Sequence, residues 1–213
     1  MSSQELADQY PFTWAYLQAN RGLLESRERG KWKHDRWYAF GRSQNLSEME
    51  QKKLLTPSIA NQASFMLDAD DFFYFVGSGG GGGGGYGVTL KKESSLAYEY
   101  ILGLMNSKLL DTYLKSYSSP FSGGYYAYNR QYIEKLPIRT INFSDKKEVG
   151  HHDRMVAMVQ KMIDLHKQLS SAREKQEIEE LKRDIAFTDK EIDRLVYDLY
   201  DLTDDEITIV EKK

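Results

Sequence analysis

Apolar residues follow a helical repeat at both ends of this chain and a shorter, strand-like spacing in its middle. Near the start, Phe12, Ala15, Tyr16, Ala19, Leu23 and Leu24 recur at three- and four-residue steps, which predicts a helix over residues 10–29 with Pro11 in its first turn. Residues 30–42 change character. Aromatic and basic side chains alternate there, predicting a loop and then a strand around Trp37–Phe40. Ser47 and Glu50 have the spacing of a capping box and predict a short helix over 47–54. Residues 56–100 read as β-rich, with candidate strands at Phe65–Leu67 and Phe72–Val76. A run of seven glycines, Gly79–Gly85, follows, and Tyr86–Leu90 reads as the returning strand. Helical spacing resumes over 95–115 through Leu96, Tyr100, Leu104 and Leu110. Ser116–Asn129 is a second loop, with Pro120, Gly123, Gly124 and four tyrosines, and Pro137 stops any helix entering Leu136-Pro137-Ile138.

From about residue 147 the pattern is strongly helical. Met155, Met158, Val159, Met162, Leu165 and Leu169 form one apolar stripe, and Ser170-Ser171 is the predicted turn. A second stripe runs Ile178, Leu181, Ile185, Thr188, Ile192, Leu195, Leu199, Leu202, alternating steps of three and four as a coiled-coil seam does. Two long helices joined by a short turn pack antiparallel. Thr188 with Glu191 could cap a new helix and break the second one, but the unbroken phase favours continuity. Thr203 and Glu206 make another capping box, opening a short terminal helix. The predicted class is α+β, a mixed, β-rich domain over residues 1–144 followed by a long antiparallel helical hairpin over 145–213.

Charge divides along the same line. Residues 145–213 carry 13 basic and 18 acidic side chains, and the rest of the chain carries 16 and 14. Residues 20–53 hold nine basic against five acidic groups, the footprint of an anion-binding face or of an ordinary solvated surface. Hydrophobic residues at 40% suit a globular core, and no apolar run reaches the ~18 residues a membrane span needs. The absence of cysteine excludes disulfides, thiol nucleophiles and thiolate metal sites and fits a cytoplasmic setting.

Several chemistries lack their motifs. No proline is followed by another, so the Asn/Asp-Pro-Pro-aromatic motif of adenine methyltransferases is missing, and no proline precedes Asp as restriction-nuclease motifs require. The glycine run lacks the Lys-Ser/Thr of a phosphate loop. Adjacent His151 and His152 diverge on a helix and read as solvated polar residues more readily than as metal ligands. No catalytic residue, metal site or cofactor is expected in this chain.

The fragments Trp37-Tyr-Ala-Phe-Gly-Arg-Ser-Gln-Asn-Leu46, Lys53-Leu-Leu-Thr-Pro57, Phe65-Met-Leu-Asp68, Gly85-Tyr-Gly-Val-Thr-Leu-Lys91, Leu104-Met-Asn-Ser-Lys108, Gly123-Gly-Tyr-Tyr126 and Leu136-Pro-Ile138 follow one another in a telling order. In that order they resemble the TaqI-like C-terminal specificity domain of N6-adenine DNA methyltransferases and fused type IIG restriction–modification enzymes. The tail Glu191–Thr203 looks like the C-terminal end of those fused enzymes. The resemblance implies a non-catalytic module that reads double-stranded DNA. Its partner would be an adenine methyltransferase domain, in cis or in trans, and that domain would bind S-adenosylmethionine.

Duplex contact then needs cations for phosphate and planar donors for base edges. Residues 27–42 offer Arg27, Arg29, Lys31, Lys33, Arg36 and Arg42 around Trp32, and residues 116–130 offer Tyr125, Tyr126, Asn129 and Arg130. Trp32 between lysines favours exposure, whereas Trp37, Tyr38 and Phe40 favour a core. Arg42 could meet DNA or pair with an acid. The glycines form a tight or mobile hairpin, or a phosphate-binding nest. Two rival readings predict other behaviour: a coiled-coil scaffold binds no DNA, and a small enzyme with an unrecognised site binds a nucleotide.

Overall fold

The computed structural model describes residues 1–41, 49–70, 73–74 and 84–212. Its fold is α+β, with short antiparallel strands and a long helical hairpin. The chain divides into two compact units, Met1–Leu46 and Ser47–Lys213.

In the first unit the expected 10–29 helix is broken into pieces. Four short helices succeed one another: α1 (Ser3–Gln9), α2 (Pro11–Ala19), α3 (Arg21–Glu25) and α4 (Arg27–Gly30). The breaks have local causes. The Asn20 side chain donates to the Tyr16 carbonyl and the Ser26 hydroxyl to the Leu23 carbonyl, offering the backbone alternatives to helix. Glu28 and Arg29 then adopt left-handed backbone conformations, on the order of 1–2 kcal/mol each for non-glycine residues. The apolar stripe of the sequence faces water, since Phe12, Tyr16 and Leu23 are exposed, while Trp14, Leu17 and Leu24 turn inward. The predicted strand at Trp37–Phe40 is a series of turns. Trp37 is buried among Trp14 and Tyr38, as the core reading expected, but Phe40 is exposed.

The second unit is built around one extended segment. Strand β1 (Lys53–Pro57) lies between β3 (Met66–Asp68) and β4 (Gly85–Val88), both antiparallel to it. Lys53, Leu54, Leu55 and Thr56 are therefore all buried, as a central strand demands. That burial is why the predicted 47–54 helix fails: Met49–Gln51 form a turn and bend leading into the strand, and Ser47 lies outside the described residues. Past Ser58 the segment continues as β2 (Ile59–Ala60) and changes partners. A second sheet forms in the order β2, β6 (Tyr125–Ala127), β5 (Pro120–Phe121). The Ser58 amide donates to the Gly84 carbonyl and its carbonyl accepts from Tyr128, so one residue joins the two sheets. The candidate strand Phe72–Val76 lies outside the described residues except for Phe73 and Tyr74, as does the glycine run before Gly84.

The predicted helical stretch 95–115 is two helices, α5 (Tyr98–Asn106) and α6 (Lys108–Tyr117), parted at Ser107. The break is capped: the Ser107 hydroxyl donates to Leu104 O and accepts from Leu110 N. After the short α7 (Arg130–Ile133), α8 (Lys146–Ser171) and α9 (Lys175–Leu199) form the hairpin, and α10 (Asp204–Glu211) closes the chain with its Thr203–Glu206 capping box. The hairpin turn lies at residues 172–174 rather than at the serines, and α9 runs through Thr188 unbroken. Leu54, Tyr100, Leu104, Met155, Val159, Ile192, Leu195 and Val196 belong to one core, so strand, helix and hairpin bury apolar surface together. Helices α5 and α8 meet closely because residue 103 is glycine. A Cβ there would stand 2.4 Å from Met155 Sδ and 2.9 Å from Val159 Cγ2.

Candidate nucleic-acid interface

In the first unit Arg27 closes the aromatic–basic loop. Its guanidinium donates to the carbonyls of Trp37 (2.5 Å) and Ala39 (3.2 Å), its Nε donates to Leu24 O (2.8 Å), and its plane lies 4.3 Å from the Trp32 ring centroid. Arg27 is thus spent on holding the loop. Trp32 is half-buried under it, with His34 beside it and Gly41 against its ring. Arg29, Lys31, Lys33 and Arg36 are exposed around this closed ring of chain. Four cations thus stand exposed on a loop tied by the side-chain-to-backbone bonds of Arg27. Arg42 lies outside the described residues.

In the second unit the second loop contains the β5–β6 hairpin. Phe121 pairs with Tyr125 across a three-residue connection in which Gly123 and Gly124 have φ near +80°, a conformation only glycine takes without strain. The hairpin stem is clamped. The Ser118 hydroxyl donates to Ala127 O (2.6 Å), and the Ser119 and Tyr132 hydroxyls lie 2.6 Å apart. The wholly buried Tyr128 donates to Asp111, which also accepts from Ala63 N and Lys115 Nζ. Burial and that carboxylate hold the Tyr128 hydroxyl far above the usual phenol range, so it stays a donor. Of the expected contact residues, Tyr125 is exposed, and Arg130 is exposed with its Nε 3.2 Å from Glu134. Tyr126 is half-buried with Lys115 over its ring at 5.6 Å. The Asn129 side-chain oxygen is buried without a partner among the described residues. Sequence reasoning missed Phe121, Tyr113 and Lys135. Tyr113 stacks edgewise on Tyr117 at 5.3 Å, and Lys135 Nζ stands 5.9 Å from the Tyr117 ring. An aromatic on each side of Gly-Gly was the available signal for a hairpin.

A sequence model of the TaqI-like C-terminal specificity domain matches residues 12–138, which takes in both aromatic–basic segments. The chain belongs to this family. It is also 28% identical over 215 residues to the type II restriction enzyme and methyltransferase RM.Eco57I of Escherichia coli. That alignment covers 97% of this chain, hairpin included, and 21% of the relative, so the chain spans about a fifth of the relative's length.

The motifs that carried the resemblance prove to be joints of the specificity domain. Asn106 accepts from Phe65 N and donates to Phe65 O, clamping the start of β3. Lys108 donates its backbone N–H to Asp193 and its ammonium to Glu211, tying α6 to α9 and α10. Tyr200 donates to Pro137 O and accepts from Arg139 N, docking the Leu-Pro-Ile segment on the end of α9. His152, expected on the surface, is buried, with Nε2 accepting from Ala97 N and its ring between Tyr100 and Phe143. An open cleft of about 1390 Å³ runs between α5–α6 and the hairpin, lined by Leu102, Met162 and Ile185 with Asp189 and Asp193 on one wall. Burial, with the neighbouring Asp189 and Glu211 charges, pushes Asp193 up to about 6 against the donated Lys108 N–H. Among the described residues no helix is long and apolar enough to cross a membrane.

Proposed function

We propose that this specificity domain reads a DNA sequence and holds the duplex for an adenine methyltransferase catalytic domain, attached in cis or acting in trans. The observation that carries this is the family match over residues 12–138, which spans the two segments where cations and planar side chains are exposed together. Arg29, Lys31, Lys33 and Arg36 on the first segment and Arg130 on the second meet phosphate, or guanine O6 and N7 in the major groove. Arg27 and Trp32 shape the first loop, and Tyr126 and Asn129 shape the second; Tyr125 touches DNA. A methyltransferase must extrude its adenine from the stack, so the flanking duplex needs a firm hold. Residues 1–144 supply that hold, and the acidic hairpin of residues 145–213 packs into the core of the second unit as its support. The chain itself transfers no methyl group and cuts no strand. S-adenosylmethionine belongs to the catalytic domain.

Gel-shift titrations of the chain with mixed-sequence duplex test this reading. Binding that weakens steeply between 50 and 200 mM salt, by orders of magnitude for several phosphate contacts, is expected of a phosphate-dominated contact. No binding at low salt, or salt-independent binding, would refute it. Label appearing in DNA after incubation of the pure chain with labelled S-adenosylmethionine would refute the non-catalytic assignment.

A further inference from the structure

Phe121 and Tyr125 stand directly opposite each other at the tip of the β5–β6 hairpin, and about half of each is open to solvent. Tyr100, Tyr128 and Phe65 of the same unit are drawn into the core, whereas Phe121 and Tyr125 are exposed as a pair on paired strands. The connection beyond them carries almost no bulk. Gly124 has open space around its Cβ position, and only the Tyr125 ring approaches that of Gly123, at 3.6 Å. The tip is therefore a thin backbone turn flanked by two half-exposed aromatic side chains. It is carried on a stem locked by Ser118, Ser119, Tyr128 and Asp111. Cations flank the stem: Lys135 at Tyr117, Lys115 at Tyr126 and bonded to Asp111, and the exposed Arg130, whose surface partner is Glu134. A slim apolar point on a rigid, basic-sided stem matches a polyanion whose interior is a stack of flat rings.

We infer that the Phe121–Tyr125 pair is an aromatic wedge that enters between neighbouring base pairs of the bound duplex and unstacks one step. The inference rests on the DNA-reading function proposed above and adds a distinct contact, with base faces rather than phosphates or base edges. It gives the module a part in deforming DNA and assigns Phe121 a role the loop reading left out. The contribution of stacking carries no counter-ion release, so it does not depend on salt as the lysine and arginine contacts do.

The test uses duplexes recovered by the whole chain from a randomised pool and remade with 2-aminopurine at successive positions. The parent should raise the fluorescence at one base step. The double variant Phe121→Ala/Tyr125→Ala should lose that rise and bind about tenfold more weakly, with the parent's salt slope. Lys135→Ala should do the converse, keeping the rise and lowering the salt slope by about one. Phe121→Ala alone, at an exposed position, supplies the same readout should the double variant fold poorly. A variant that binds and fluoresces like the parent overturns the wedge and leaves the DNA-reading function standing, with the rings freed for a protein partner. A pool from which the parent recovers no DNA overturns both.

Discussion

The two units of this chain stabilise themselves in different ways. None of the four helices in Met1–Leu46 holds a buried residue, and among the described residues of that unit Trp37 is the buried apolar side chain. Its shape rests on polar stitches: Arg27 to three carbonyls, Asn20 and Ser26 to their own helices. Ser47–Lys213 instead shares one core among β1, α5, α6, α8 and α9, and adds buried polar joints to it. A thin core with many exposed backbone bonds opens at low free energy. A thick one suits the frame that must hold the joints between strand and hairpin.

Substitution at the buried pair Lys53–Asp68 should widen that contrast most. Lys53 Nζ bonds Asp68 at 2.6 Å and also the carbonyls of Met49 and Gln51. Lys53→Ala leaves a buried carboxylate without its cation and should cost about 3–5 kcal/mol, read as a collapse of the main thermal or urea transition. Trp37→Ala should cost about 3 kcal/mol within the first unit alone. DNA affinity should fall while the main melting transition stays where it was, as hydrogen exchange of α2 against α9 would register. A common loss of protection in both units would show that the two are not separable in stability.

Asp193 sharpens the second unit's side of the comparison. Its carboxyl sits at about 6 in the fold, against 3.8 for the free side chain. The native state therefore holds a proton between those values that the unfolded state has released, so stability falls as pH rises from about 4 to 6 and is flat above. Asp193→Asn keeps an oxygen for the Lys108 amide and should remove that slope. The variant should gain about 2–3 kcal/mol at pH 7 over the parent, measured by urea titration at both ends of the window.

The second unit was also the more legible in sequence. The heptad spacing of Ile178–Leu202 named a continuous helix, and the capping box at Thr203 named its successor, because both patterns report burial or satisfied backbone groups directly. The return strand before Leu90 was legible for the same reason. In the first unit the same helical repeat pointed the wrong way. Phe12, Tyr16 and Leu23 face solvent, and the repeat is cut at Asn20 and Ser26 by side-chain-to-backbone bonds of which spacing carries no information. The alternation at Trp37–Phe40 imitated a strand although Arg27, ten residues earlier, folds that segment into turns. His152 was mistaken for a surface residue because its acceptor role toward Ala97 is made across 55 positions of sequence. The hairpin carrying Phe121 was read as loop because its strands are two and three residues long.

The smallest expected effect bears most directly on the central claim, that the exposed cations of the two aromatic–basic segments hold DNA without holding the fold. Arg36 and Arg130 are both exposed, and Arg130 has only a surface partner in Glu134. The measurement is a set of DNA-binding curves across salt concentrations, with thermal melts, for the parent and for Arg36→Ala/Arg130→Ala. An unchanged melt, a several-fold loss of affinity at low salt and a salt slope reduced by about two are expected. Parent-like binding by this variant, with affinity lost instead on neutralising Glu177 and Asp184 of the hairpin, would contradict that claim.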